Sequence, residues 1–380
     1  MKMRIAVLGP AWPFTGGLTH YNVWYSNFMH RRGFTIKVFS YTLFCPKRLY
    51  PGKKLVDSTQ TDRSEFEYVS IINSANPFNW PKVVREIKKF KPDFLLIYWW
   101  TPFLAPMYRF VTSRIKSKVI CLCHNVLPHE RSFIDKLLTR RCFKKVDYFI
   151  VHGQKEKNEL LDFLPSLDPT NVAVTPHPSY GVQFKFEELT TKEAKEKLNL
   201  TGKIILFFGF VRAYKGLPNL LRAIPIINQR YGDITVLIVG EFWKGQREIT
   251  DKIIEELQIK NIKIVDDYVP DEEVGVYFQA SDVVVLPYDT ATGSGIVQIA
   301  FGFTKPVIVT DVGTLAEIVH DKKSGLVIPP KDPQAIADAV SYLYDKMDFK
   351  KLEEYIAKEA YRFSWDKLVD VTEEFMKKKG

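Results

Sequence analysis

The feature that most constrains this chain is a rhythm of short apolar runs and helix-length stretches that begins twice. The first series is RIAVLG (4–9), TIKVFSY (35–41), DFLLIYW (93–99), KVICLCH (118–124), YFIVHG (148–153) and VAVTPH (172–177). A second starts afresh with IILFFGF (204–210), TVLIVGE (235–241), IKIVDDY (262–268), VVVLPY (283–288), PVIVTD (306–311) and GLVIPP (325–330). Runs this apolar, separated by helices, read as parallel strands buried on both faces. Two such series predict an α/β chain of two Rossmann-like, doubly wound domains, residues 1–180 and 181–362, joined around 178–202. The stretch 363–376, FSWDKLVDVTEEFM, reads as an amphipathic helix, so 363–380 is expected to pack back on the first domain.

Composition narrows the class. With 380 residues, 46% hydrophobic and 26% charged, the chain is ordinary for a folded globular protein, which excludes disorder and fibrous architectures. The net charge of +10 makes a polyanionic partner worth considering. Its distribution is uneven: residues 1–180 hold 27 basic and 13 acidic side chains, whereas 181–380 hold 27 and 31. The four cysteines, Cys45, Cys121, Cys123 and Cys142, lack metal-ligand spacing and read as reduced core thiols. The opening MKMRIAVLG reads as a first strand rather than a signal peptide, so a cytoplasmic location is expected. The run from Phe94 to Tyr108 contains Pro102 and Pro106 and is too short to span a bilayer, so any membrane role is expected to be peripheral.

Ligands of doubly wound sheets bind at the carboxyl ends of strands, so the motifs there carry most weight. After the first strand GPAWPFTGGLTHY departs from the G-x-G-x-x-G spacing, and no P-loop is present, which argues against dinucleotide and simple nucleotide triphosphate sites. Gly16 and Gly17 let backbone amides approach an anion, although an ordinary flexible loop has the same signature. In FFGFVRAYKG (207–216), Arg212 and Lys215 sit three apart just before a helix, a pairing suited to a diphosphate; a solvated surface pair is the bland alternative. Gly293, Ser294 and Gly295 offer bare amides and a hydroxyl at another helix start. No D-x-D is present, so no metal site is expected, and no cofactor beyond a nucleotide co-substrate. In CHNVLPHE (123–130), His124, Asn125, His129 and Glu130 suit proton transfer or, equally, helix capping. Trp99 and Trp100 belong to an aromatic cluster that packs in a core or, for one of them, stacks on a sugar. The segment 131–147 reads as a basic amphipathic helix able to lie on anionic lipid, or as a solvated charged face.

Taken in order, the GG loop, GFVRAYKG, VGE (239–241), DYVPDEEV (267–274), the 283–319 block and the final FSW helix resemble the group 1, family 4-like glycosyltransferases of the two-domain GT-B architecture. The resemblance covers nearly the whole chain. It implies a nucleotide-sugar donor in the C-terminal domain, an acceptor mainly in the N-terminal domain, and transfer across the cleft with retention at the anomeric carbon. It assigns Arg212 and Lys215 to the donor diphosphate, Gly16 and Gly17 to the loop approaching it, and His124 to the transferred sugar. Glu241, Tyr268, Val269, Thr292, Gly293, Ser294, Gly295 and Gln298 are the further donor-contact candidates, and Trp99, Trp100, Asn125 and His129 those for acceptor or sugar. One departure stands out: the family's two glutamates, with seven residues between them, are replaced by Thr292 and Ala300, with Asp289, Gln298 or hydroxyls as candidate substitutes.

The reading is therefore a metal-independent, retaining glycosyltransferase acting on a UDP- or GDP-sugar and a glycan or lipid-linked hydroxyl. An anionic membrane surface is the expected further partner of the basic half. The alternative is a GT-B-like binding or partner subunit that has lost catalysis. Nucleic-acid binding lacks any recognisable module.

Overall fold

In the computed structural model the described residues are 2–14, 16–44, 56, 62–126, 133–179, 187–291 and 293–378. They divide into two compact units, Met1–Pro176 with Trp365–Gly380, and His177–Ser364.

The first unit begins with β1 (Arg4–Leu8), α1 (Gly17–Arg31), β2 (Thr35–Leu43), β3 (Glu67–Asn73), α2 (Trp80–Phe90) and β4 (Phe94–Trp99). It continues through α3 (Ala105–Thr112), β5 (Lys118–Cys123), α4 (Phe133–Phe143), β6 (Tyr148–Val151), α5 (Gln154–Phe163) and β7 (Val172–Val174). All seven strands are parallel, in the order β3-β2-β1-β4-β5-β6-β7. The central β4 is buried along its whole length, as its unbroken apolar run predicts. Strand β3 is absent from the sequence-based reading. It lies at the sheet edge and stays largely half-buried or exposed, so EYVSIIN, broken by Ser70, gives a weaker signal than the central runs.

The second unit contains α6 (Thr191–Lys197), β8 (Lys203–Phe208), α7 (Leu217–Asn228), β9 (Ile234–Val239), α8 (Gln246–Glu256), β10 (Ile262–Val265), α9 (Val274–Ala280) and β11 (Val283–Leu286). It ends with α10 (Gly295–Gly302), β12 (Val307–Thr310), α11 (Leu315–Ile318), β13 (Gly325–Ile328), α12 (Pro333–Lys346) and α13 (Phe349–Lys358). Its six strands are again parallel, ordered β10-β9-β8-β11-β12-β13. Part of the expected linker is ordered structure: α6 opens with a reciprocal capping box, Thr190 accepting from the Glu193 amide and Glu193 from the Thr190 amide.

The final helix, α14 (Trp365–Lys377), belongs to the first unit. Trp365 is 2% exposed and meets the Tyr21 ring at 5.0 Å, and the Tyr25 hydroxyl bonds Thr372. Arg32 reaches Asp366, Asp370 and Glu373 along the outer side of the same helix. Cys121, Cys123 and Cys142 are free and buried, and desolvation pushes all three thiols up, Cys142 to about 12. Cys45 lies outside the described residues. Among the described residues no helix is long and apolar enough to cross a membrane.

Candidate functional site

At the carboxyl edge of the second unit, two strand ends are stitched together. The Val211 amide donates to the Glu241 carbonyl at 2.9 Å, and the Trp243 amide donates back to Val211 at 2.9 Å. This holds Arg212 with its guanidinium 4.7 Å from the centre of the Trp243 ring, and its buried Nε meets no acceptor among the described residues. A single 3-10 turn, Ala213–Lys215, then carries Lys215 inward, and Gly216 is the N-cap of α7. Gly216 has φ +66, and a Cβ there would fall 1.9 Å from the Pro287 carbonyl oxygen. Glycine is thus required where this loop crosses the end of β11. Asp289 completes the clasp: its amide donates to the Tyr214 carbonyl at 2.8 Å and its carboxylate accepts from Asn219 at 2.8 Å.

The clasp buries a cation. Lys215 is 9% exposed, and its ammonium lies 5.5 Å from the Tyr288 ring centre. Burial, reinforced by the Arg212 charge, pushes its pKa down to about 8. Among the described residues no carboxylate lies within ion-pair distance of Lys215 or Arg212. A buried ammonium without a counter-charge is costly, so the arrangement favours an incoming anion.

The start of α10 converges on the same place. Its N-cap Ser294 accepts from the Ile296 amide at 3.3 Å, and the Tyr288 hydroxyl bonds Ser294 at 3.2 Å. Tyr288 is buried, which raises its phenol pKa, and its carbonyl accepts from Thr310 at 2.7 Å. A Cβ on Gly209, at the end of β8, would lie 3.1 Å from Lys215 Nζ and 3.5 Å from Ile296 Cδ1. Open space surrounds the Cβ position of Gly295, while that of Gly293 would meet Thr314 Oγ1 at 2.9 Å. The positive end of a helix, a buried ammonium and a guanidinium therefore border one glycine-floored spot, which suits a diphosphate.

The other candidates differ in exposure. Gln298 is 1% exposed, so its side chain belongs to the interior rather than to a ligand surface; its Oε1 has no hydrogen-bond partner among the described residues. Ala300 packs in the core at 0% exposure, which leaves no room there for a carboxylate. Tyr268 is 55% exposed, Val269 packs partly against the core, and Glu241 is half-buried. Thr292 and His129 lie outside the described residues.

In the first unit, Gly17 opens α1, and the amides of Thr19 and His20 donate to the Gly16 carbonyl. His124 follows β5, its amide donating to the Trp99 carbonyl at 2.9 Å. Its ring stands edge-on to Tyr21 at 4.8 Å, stacks on Tyr98 at 6.3 Å and lies 5.2 Å from His152. His152 is a neighbour that sequence reasoning missed, although it stands in the run YFIVHG. Its Nδ1 lies 3.1 Å from the Thr175 carbonyl, an acceptor, so that nitrogen carries the proton. Desolvation pushes its pKa down to about 4, which keeps the imidazole neutral. Asn125 accepts from the Cys123 thiol through its carbonyl, and its buried Oδ1 has no partner among the described residues.

Of the two tryptophans, Trp99 requires correction. Trp99 is 0% exposed, donates to the Val126 carbonyl at 3.3 Å and meets Phe143 at 4.7 Å, so it is a core residue out of reach of acceptor or sugar. Trp100 is half-buried against Phe44 at 5.4 Å, with a buried Nε1 that has no partner among the described residues. The strand periodicity put one indole on the inner side of the sheet, where packing claims it.

Comparison with known proteins bears on the family and the fold. Residues 190–363 match the family described as "Glycosyl transferases group 1", and residues 15–178 match "Glycosyltransferase Family 4". The D-inositol 3-phosphate glycosyltransferase of Corynebacterium urealyticum is 28% identical over 240 residues, covering 61% of this chain and 56% of that protein. Matches to other curated relatives span between 42% and 57% of their length. A glycosyltransferase from Rickettsia africae has the same fold, with a TM-score of 0.77 at 20% identity over 99% of both chains. The Anabaena protein HepE in complex with UDP has a TM-score of 0.74 at 14% identity, with both chains fully covered. The chain belongs to the group 1 glycosyltransferases of GT-B fold, with a first half of the family 4 type.

Proposed function

We propose that this chain transfers a hexose-type sugar from a UDP- or GDP-linked donor to a hydroxyl of a glycan or lipid-linked acceptor, with retention at the anomeric carbon and without a metal ion. The observation that carries the reading is Lys215, a buried ammonium with no carboxylate beside it among the described residues, next to Arg212 and the amide end of α10.

In this reading the diphosphate lies over Gly209. As the bond from the anomeric carbon to the diphosphate breaks, charge builds on the departing oxygen, where Arg212, Lys215 and the Gly295 amide stabilise it. The acceptor hydroxyl bonds to the same face of that carbon and passes its proton to the departing oxygen. Configuration is retained, and no side-chain nucleophile is needed. The acceptor falls to the first unit, where His124 and Asn125 are the polar groups after β5. UDP occurs in the complex of a protein sharing this fold, so uridine nucleotides head the ligands to test.

The test is turnover of UDP- and GDP-sugars by wild type and Lys215→Ala, with the product anomer read by NMR and chelator added in parallel. Retained configuration, insensitivity to chelator and a steep loss in the variant are expected. Near-normal turnover by folded Lys215→Ala overturns the reading.

A second reading, a nucleotide-sugar-binding subunit without catalysis, is favoured by one observation: Ala300 lies in the core where the resemblance expects a carboxylate. Binding of donor with no release of nucleoside diphosphate across a panel of acceptors would select it.

A further inference from the structure

The basic excess of the first unit is gathered on one side of its sheet. Strand order and right-handed crossovers put α2, α3 and α4 on one face and α1 on the other. Packing agrees, since α3 contacts both α2 and α4, and α1 contacts α14. Residues 80–91, 105–116 and 133–145, which contain the three helices, carry five, three and five basic residues against only Glu86 and Asp135, a net of +11. The opposite helices, 17–31 and 365–377, carry three basic and four acidic residues, and Arg32 pairs with three of those acids. The patch ends at α5, where Lys155 and Lys157 are outnumbered by Glu156, Glu159 and Asp162.

Apolar side chains stand at one end of this face. Phe78, in the turn before α2, is 93% exposed; Phe133 and Ile134, opening α4, are 80% and 65% exposed. Both positions follow the carboxyl end of a strand, β3 and β5, so they share the sheet edge that carries His124. Further along α4, Lys136, Arg141, Lys144 and Lys145 project outward with no ion pair among the described residues, while Arg140 is tied to the Phe163 carbonyl at 3.2 Å. Exposed aromatics beside unpaired cations suit a surface that is anionic outside and apolar within. A nucleic acid would use the charge but leave three large apolar groups in water.

We propose that the α2–α3–α4 face docks on an anionic lipid bilayer, with Phe78, Phe133 and Ile134 entering the interface at the edge that carries His124. This deepens the proposed function by giving a lipid-linked acceptor a route to that edge.

The test is flotation of the full chain with vesicles of phosphatidylcholine containing about 30% phosphatidylglycerol, and with phosphatidylcholine alone. Binding to the anionic vesicles only is expected, reversed when salt rises from about 0.05 to about 0.5 M. The triple variant Phe78→Ser, Phe133→Ser, Ile134→Ser and the separate variant Arg141→Glu, Lys144→Glu, Lys145→Glu should each weaken binding at least about tenfold with an unchanged melting temperature. The control Lys350→Glu, Lys351→Glu, in the second unit, should not. No binding to anionic vesicles overturns the proposal, as does binding that only the control weakens. Binding to duplex DNA that is tighter than to vesicles and insensitive to the triple serine variant assigns the face to nucleic acid instead. Protection by UDP or GDP in vesicle-free solution reports separately on the donor site, so failure of one reading is distinguishable from failure of the other.

Discussion

The backbone at Gly209 passes so close to Lys215 that a methyl group on the glycine would lie 3.1 Å from the lysine ammonium. Strand end and cation thus form one unit, and the cation has been drawn out of water before any ligand arrives. Replacing Lys215 by Ala is expected to cut turnover by about a hundredfold or more while the protein stays folded. Lys215→Arg should not restore it, because a planar guanidinium does not fit over Gly209 as a compact ammonium does. Steady-state kinetics with circular dichroism of the variants check both.

Stability should depend on pH through the same lysine. Its pKa is about 8 in the folded chain against 10.5 unfolded. Below pH 8 both states are charged and the folded one bears the full desolvation cost; between 8 and 10.5 the folded state sheds the proton first, so stability rises. Relative to Lys215→Met, wild type should gain about 3 kcal/mol across that window in urea titrations. Nucleoside diphosphate affinity should fall as pH rises past 8, since the ligand needs the ammonium.

His152 should act in the acid range. Held neutral with a pKa near 4 against 6.5 unfolded, it opposes protonation in the folded state. The unfolded chain takes up the proton first as pH drops from 6.5 to 4, so the stability of the first unit should fall by about 3 kcal/mol relative to His152→Leu over that window. Equal pH profiles for the two proteins would contradict this assignment.

Gly216→Ala tests the clasp. With φ at +66 and the Pro287 oxygen 1.9 Å from the new methyl carbon, the loop must move or the strand end must yield. The expected cost is about 2 kcal/mol or more, with loss of donor affinity, readable by urea melts and nucleotide titration.

The Arg212 and Lys215 pair was legible because both stand in the loop after a strand run, and the two-series rhythm places that loop at a carboxyl edge. Trp99 misled because a strand end holds both edge-facing and core-facing side chains, and spacing does not say which is which. Gln298 misled similarly: polar and near a glycine turn, it nonetheless lies on the buried side of α10. His152 and Tyr21 were missed because each lies far along the chain from His124, whose ring it meets.

The chain's local chemistry determined two parallel α/β units, their helix starts and the residue types able to hold a diphosphate, because strand burial, capping and glycine turns are short-range effects. Only the tertiary structure decided which cation is buried, which tryptophan is core and which side of the sheet gathers the charge. Those outcomes depend on contacts between segments tens to hundreds of residues apart, where desolvation and packing act together and sequence spacing carries no distance information.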